Sequence, residues 1–318
     1  MKLMLKLRIT IIVISLALCL SASAIGQEPA KVEFIIAEAA KRSTEYIEAF
    51  RNLLAVETKT FEVFDKSGAV RKRRIVTSNF IAYQLSKSDG EIVEYRHVIA
   101  VDGRPLENAE ARAQDFFEKI VDSESSAKEL ERIRKESLRF DDEIQINGLT
   151  LYQAVPLQPS VRDSLEIGLD RIEGYAGRRV YIISYRQKEP SPAIRVNQND
   201  NVMRSRAALD YELGISSKKP LNARIRGTFW IDTETFQIWR EVRELTVRPD
   251  EFVDDVVAER TEFTYRSSEF SVLTPSSIVH TSYRIDRRSR SSVKDVTATF
   301  EYSKFTKPDV EVRSADVK

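Results

Sequence analysis

The chain has 318 residues, 42% of them hydrophobic and 31% charged, with 50 basic and 49 acidic side chains and a formal net charge of +1. That is a globular composition rather than a disordered or membrane-embedded one, and its charge balance gives no long-range field to draw in nucleic acid or an anionic membrane. The length suits one large β domain or two ordinary ones, with a sizeable core.

At the N-terminus Lys2, Lys6 and Arg8 precede an apolar run from Ile9 to Leu20, and Ala22-Ser23-Ala24 follows. A basic start, a short apolar run and small residues at an A-x-A site predict a secretory signal peptide over 1–24, cleaved after Ala24. The run is too short to span a bilayer. Leu18 before Cys19 is not the small residue expected ahead of a lipidated cysteine. Cleavage removes the only cysteine, so the exported chain has no disulfide and must be held by its own core.

From Lys31 to Leu54 the residues Val32, Ile35, Ile36, Ala39, Tyr46, Ile47, Phe50 and Leu53 fall at steps of three and four. This predicts an amphipathic helix ending near Asn52. Three strands follow, Val56–Phe64, Val70–Leu85 and Ile92–Val101, separated by turn residues at Asp65–Gly68 and Ser88–Gly90 and closed by Asp102-Gly103. The basic run Arg71–Arg74 sits on a strand start, where alternation splits it between two faces; it reads as solvated rather than as a nucleic-acid patch. A helix from Leu106 to Val121 begins after Pro105 and resumes from Ala127 to Leu138 beyond the serines of 123–126. Between Phe140 and Gly174 the pattern suggests a strand over Leu149–Val155 and a short helix over Ser160–Leu169. A strand returns at Gly177–Gln187. The segment Glu189–Asn222 is a long polar insert, with a possible helix over Val202–Leu213. Connections of that length are functional or mobile, or simply decorate a surface.

The clearest pattern lies at Ala223–Val247, where two alternating arms flank Asp232-Thr233-Glu234-Thr235. A four-residue loop would put Ile231 opposite Phe236, Phe229 opposite Ile238 and Ile225 opposite Val242 on an apolar face, with Arg226 against Glu241 behind. Strands Val256–Arg266, Ser276–Asp286 and Val293–Phe305 follow, then a polar tail over 307–318. No internal repeat or linker divides the chain, so 25–306 is expected to form a single domain carrying the insert 189–222.

Little in the sequence points to catalysis. The two histidines, His97 and His280, lie inside strands and far apart, and no HExxH, CxxC, GxSxG, P-loop or GxGxxG is present. No metal site and no cofactor are expected. Carboxylates are plentiful at Asp141-Asp142-Glu143, Asp254-Asp255, Asp232 and Glu234, but nothing singles out a catalytic pair. Asp232 has a structural role as a turn-initiating residue. Fifteen Phe, eleven Tyr and two Trp are spread over the elements, a content that more often marks plain core than a ligand pocket.

At Gly177-Arg178-x-Val180-Tyr181-x-Ile183, then Gly227-x-x-Trp230-Ile231-Asp232-x-Glu234-Thr235 and Arg240, the sequence resembles the periplasmic lipoprotein carriers of the LolA/LolB type and the related stress sensor RseB. The motif match covers about 175–245 and the layout about 30–305. The resemblance implies an α+β fold, a strongly curved antiparallel β-sheet forming an incomplete barrel, with N-terminal and covering helices on its concave side. It implies a non-enzymatic envelope protein, periplasmic, that binds a lipid or an acylated protein in the concave face. Phe229, Ile231 and Ile238 would line that cavity, and Phe116, Phe117 and Ile120 of the covering helix would close it. The alternative is an RseB-like module that binds or senses an envelope protein partner; a carbohydrate-active enzyme is a distant third. The chain departs from the family pattern at Phe236, where relatives often carry glycine, in the length of its insert and in lacking a lipobox.

Overall fold

The structure is a computed structural model that describes residues 29–51, 53–85, 92–121, 125–141, 149–151, 153–191, 194–197, 209–212, 222–249, 252–286 and 288–307. The expected signal peptide and polar tail lie outside these residues, except Lys307.

Eleven strands form one antiparallel sheet. In chain order they are β1 (Leu54–Phe64), β2 (Val70–Gln84), β3 (Ile92–Val101), β4 (Arg104–Pro105), β5 (Leu165–Tyr175), β6 (Arg178–Gln187), β9 (Asn222–Asp232), β10 (Ile238–Arg248), β11 (Val256–Arg266), β12 (Thr274–Asp286) and β13 (Ser291–Thr306). Their spatial order is β4-β3-β2-β1-β13-β12-β11-β10-β9-β6-β5, so the sheet is open, with β4 and β5 at its ends. The short strands β7 (Ile194–Asn197) and β8 (Leu209–Glu212) pair in parallel in a sheet of their own. Register shifts interrupt eight of the pairings, including β2 with β3, β5 with β6 and β9 with β10. Each bulge sharpens local bend and twist, and together they curve a sheet this wide into a trough.

The helix α1 (Pro29–Phe50) lies in that trough. Its buried residues Ile35, Ile36, Ala39, Ser43, Tyr46 and Phe50 recur at helical spacing, while Lys31, Glu33, Lys41 and Glu48 face solvent. The N-terminal half packs on Ile183, Phe229, Ile231 and Leu245, and the C-terminal end on Phe80, Phe263 and Phe300. Beside it sit a 3-10 turn (Val155–Leu157) and a one-turn helix α4 (Pro159–Arg162), which bury Val155, Leu157 and Val161.

Several expectations need correction. The helix placed from Leu106 begins at Ala109 and forms α2 (Ala109–Val121), because Arg104-Pro105 pairs with Ala100 and Val101 as β4. With α3 (Ser126–Ser137) it does not cover the trough. Both pack at β3, where Phe116, Leu130 and Ile133 meet Leu85, Val93 and Tyr95. Val93 and Tyr95 alternate with Glu94 and Arg96, which point inward, so this small core lies on the outer face of the sheet. The same helices blunt the β3 edge: Arg112 donates to the Val98 carbonyl, and the Arg96 amide donates to Ser137 Oγ.

The expected strand Leu149–Val155 is replaced, among described residues, by turns and the 3-10 segment. The expected helix Ser160–Leu169 ends at Arg162, because Leu165, Ile167 and Leu169 alternate as the start of β5. In the insert, Leu209–Glu212 are strand, not helix; the rest of 202–213 lies outside the described residues.

The central hairpin forms between β9 and β10, but in another register. Thr233–Gln237 make a five-residue loop closed by the Asp232 amide donating to the Gln237 carbonyl, with Phe236 at a φ of 57°. Ile231 pairs with Ile238, and a bulge at Trp239 then brings Arg240 opposite Trp230, Glu241 opposite Phe229 and Leu245 opposite Ile225. One extra residue reverses the faces of β10. Glu241, Arg243, Leu245 and Val247 point inward, and Arg240, Val242 and Glu244 point outward.

Candidate functional site

The trough divides into two halves of different chemistry. Its apolar half is walled by β5, β6, β9 and β10, whose inward residues include Ile183, Phe229, Ile231, Leu245 and Val247, with Ile238 alongside. Phe229 and Ile231 are fully buried and Ile238 is 2% exposed. The N-terminal half of α1 covers them with Ile35, Ile36 and Ala39. The three wall residues expected for a cavity therefore stand together and face inward.

Of the residues expected to close that cavity, Phe116 does not join them. Phe116 stacks on Tyr95, ring centroids 4.8 Å apart, on the outer face of β3. Phe117 and Ile120 lie on the same helix, of which only their backbone is described. The cover over Phe229, Ile231 and Ile238 is α1.

In the other half, inward positions of β1 and β3 carry ions. Arg96 forks onto Glu57 through two hydrogen bonds of 2.7 and 2.9 Å and meets Glu94 at 2.9 Å. The rings of Phe80 and Phe300 flank its guanidinium, with centroids 5.3 and 5.8 Å away. Lys59 meets Asp141 at 2.7 Å, both almost wholly buried. Hydroxyls extend the network: Thr150 Oγ1 and Tyr302 OH lie 2.5 Å apart, and Tyr46 OH of α1 donates to the Thr150 carbonyl. The Leu151 amide donates to Glu94.

Burial and pairing compete in this network. Burial pushes the Glu57 carboxyl upward, but Arg96 outweighs it and holds Glu57 below the usual range. At the neighbouring pair burial prevails: it pushes Lys59 down and Asp141 up, despite their contact. Removing either partner of such a pair would leave a buried charge unpaired; apolar residues including Phe61, Phe80, Phe263 and Phe300 share this half with the ions.

Small polar contacts fasten α1. Arg42 Nε donates to the Thr235 carbonyl in the β9–β10 loop, and Ser43 Oγ to the Gln153 carbonyl. Phe34, 56% exposed, meets Phe236 edge-on at 5.5 Å, and Phe236 stacks near Tyr181. The loop itself is rigid, because Asp232 Oδ1 accepts from the amides of Glu234 and Thr235. Those bonds, offsetting burial, hold the Asp232 carboxyl below its ordinary range.

The remaining candidates have structural surroundings. His97 lies 2.8 Å from the Ala109 carbonyl, and His280 Nδ1 lies 2.8 Å from Thr261 Oγ1. Asp255 pairs with Arg248 and Asp141 with Lys59, while Asp142 and Glu143 lie outside the described residues. Among the described residues no group of three His, Cys, Asp or Glu is placed to hold a metal. The residues that sequence reasoning missed are Glu57, Lys59, Glu94 and Arg96. Their signal was present, since Glu57 and Lys59 fall in phase with Ala55, Phe61 and Val63, the buried face of β1.

No family model matches the chain, and no curated protein matches it. Solved structures similar to it include a domain described as an outer membrane lipoprotein-sorting protein from Vibrio parahaemolyticus, at 7% identity and a TM-score of 0.33, covering 86% of this chain and 92% of that one. Another is a LolA superfamily protein from Nitrosomonas europaea, at 6% identity and a TM-score of 0.31, covering 85% and 94%. A third is the MucA/MucB complex of Pseudomonas aeruginosa, at 10% identity and a TM-score of 0.21, covering 86% and 100%. At these identities and TM-scores the similarity gives no residue of this chain a role.

Proposed function

We propose that this chain is an exported, non-enzymatic envelope protein that holds the acyl chain of a lipid or acylated protein between α1 and the β5–β10 half of the trough. The division of the trough carries this reading. One half is a largely apolar wall, interrupted by the inward Glu241–Arg243 pair of β10 and covered by α1 with the 3-10 turn beside it, and the other sets its buried ions among aromatic side chains. A hydrocarbon chain is better suited to the first. The N-terminal half of α1 covers Phe229 and Ile231 with residues no larger than isoleucine, and its fastenings are a few hydrogen bonds to loops. An incoming chain would replace the apolar contacts that α1 gives up, at roughly 0.8 kcal/mol per buried methylene. The charged start, apolar run and Ala22-Ser23-Ala24 support export to the periplasm.

The test is isolation of the mature protein from the envelope under mild conditions, mass spectrometry of its organic extract, and titration of the delipidated protein with an environment-sensitive fatty-acid probe. Extractable acyl lipid and saturable probe binding are expected. Absence of both would overturn the proposal, and a co-purifying protein in their place would support the protein-binding alternative.

A further inference from the structure

The outer face of the sheet carries a groove of about 570 Å³ across β5, β6, β9 and β10, within the size range of small-molecule sites. Its floor is low because the outward residues there are small: Gly168, Ser184, Thr228 and Val242, aligned by register. Gly227 borders the groove, and a Cβ there would stand 2.3 Å from the Val242 carbonyl oxygen. Four strands at about 4.8 Å spacing make the groove about 14 Å long.

One wall is a cross-strand row of planar, hydrogen-bonding groups: Glu166, Arg186, Arg226, Glu244 and Arg260. Arg186 donates to Glu166 at 2.7 Å, and Arg226 and Arg260 both donate to Glu244, at 2.8 and 2.9 Å. In the floor, Ser184 Oγ donates to Asp170. The wall thus carries three arginines and two glutamates. A polyanion or a polycation would meet like charge along part of the wall, and an acyl chain would meet only Val242 as an apolar residue of the floor. What such a surface can satisfy is an uncharged ligand rich in hydroxyls, each able to accept from a guanidinium and donate to a carboxylate. We infer that this groove binds a neutral oligosaccharide, independently of any ligand in the trough.

The mature chain is titrated calorimetrically with chitohexaose, cellohexaose and maltohexaose, and with dextran sulfate as the polyanion. At least one neutral oligosaccharide is expected to bind, with an affinity that hardly changes as salt is raised. Arg226→Ala, at a side chain 55% exposed, should weaken binding tenfold or more. Thr228→Trp, which fills the floor, should abolish it. Denaturant midpoints of both variants should stay close to the parent's, which shows that they are folded. Failure of all three neutral oligosaccharides, binding of dextran sulfate alone, or undiminished binding in Arg226→Ala would overturn the inference.

Discussion

Gly227 has no room for a side chain. Besides the Val242 carbonyl oxygen, an added Cβ would stand 2.4 Å from the hydroxyl of Tyr185, which lies over it and donates to Glu241 at 3.0 Å. Gly227→Ala should therefore cost about 3 kcal/mol through overpacking, because the backbone oxygen cannot yield as a flexible side chain would. A denaturant midpoint close to that of the parent would contradict this contact. His280 gives a second residue-scale expectation. Burial lowers its pKa to about 4 from 6.5, so between those values the unfolded chain binds the extra proton. Stability should rise with pH across that window and be lost as pH falls from about 6.5 to 4, by up to ~3 kcal/mol. Urea melts of the parent and of His280→Gln at both pH values would test it; an equal acid loss in the variant would assign the effect elsewhere. Both histidines were recognised in the sequence as strand residues. The demand on Gly227 was not legible, because it comes from Tyr185 on a different strand.

At the scale of elements, β1 and the turn that follows α3 are joined by Lys59 and Asp141. Breaking one partner leaves the other charged and buried, so Lys59→Met should cost about 3–5 kcal/mol. Replacing both, as Lys59→Met with Asp141→Leu, should cost clearly less than the sum of the two single changes, since no orphaned ion remains. A thermodynamic cycle showing additivity would mean that the pair contributes nothing as a pair. Long periodic elements were readable: α1 and the six strands β1, β2, β3, β11, β12 and β13 fall close to their expected positions. Errors arose where one residue changes phase. The Trp239 bulge reversed β10, and the period-2 start of β5 was read at helical period. The face on which α2 packs was hidden as well, because β3 is buried on both sides and alternation cannot then say which side a helix takes.

For the molecule as a whole, the open antiparallel sheet and the helix in its trough were what the resemblance implied, whereas the division of the trough depends on which strands become neighbours. β1 and β3 flank β2, bringing Glu57 and Arg96 across it into contact, and no local pattern shows that. The division also separates two truncations that the sequence would have treated alike. Phe229 is fully buried against α1 in the apolar half, whereas Phe116 is partly buried on the outer face of β3. Phe229→Ala should cost about 3–5 kcal/mol, as expected for a large side chain removed from a packed core; Phe116→Ala should cost less. If α1 and the β5–β10 wall hold an acyl chain, the fatty-acid probe should bind Phe229→Ala with altered affinity and Phe116→Ala as it binds the parent. Denaturant melts and probe titrations on the three proteins measure both quantities. Loss of probe binding in Phe116→Ala, with Phe229→Ala unchanged, would move the ligand to the α2–α3 side of β3 and leave α1 as plain core. Only the binding arm can discriminate, since both placements predict the same order of stabilities.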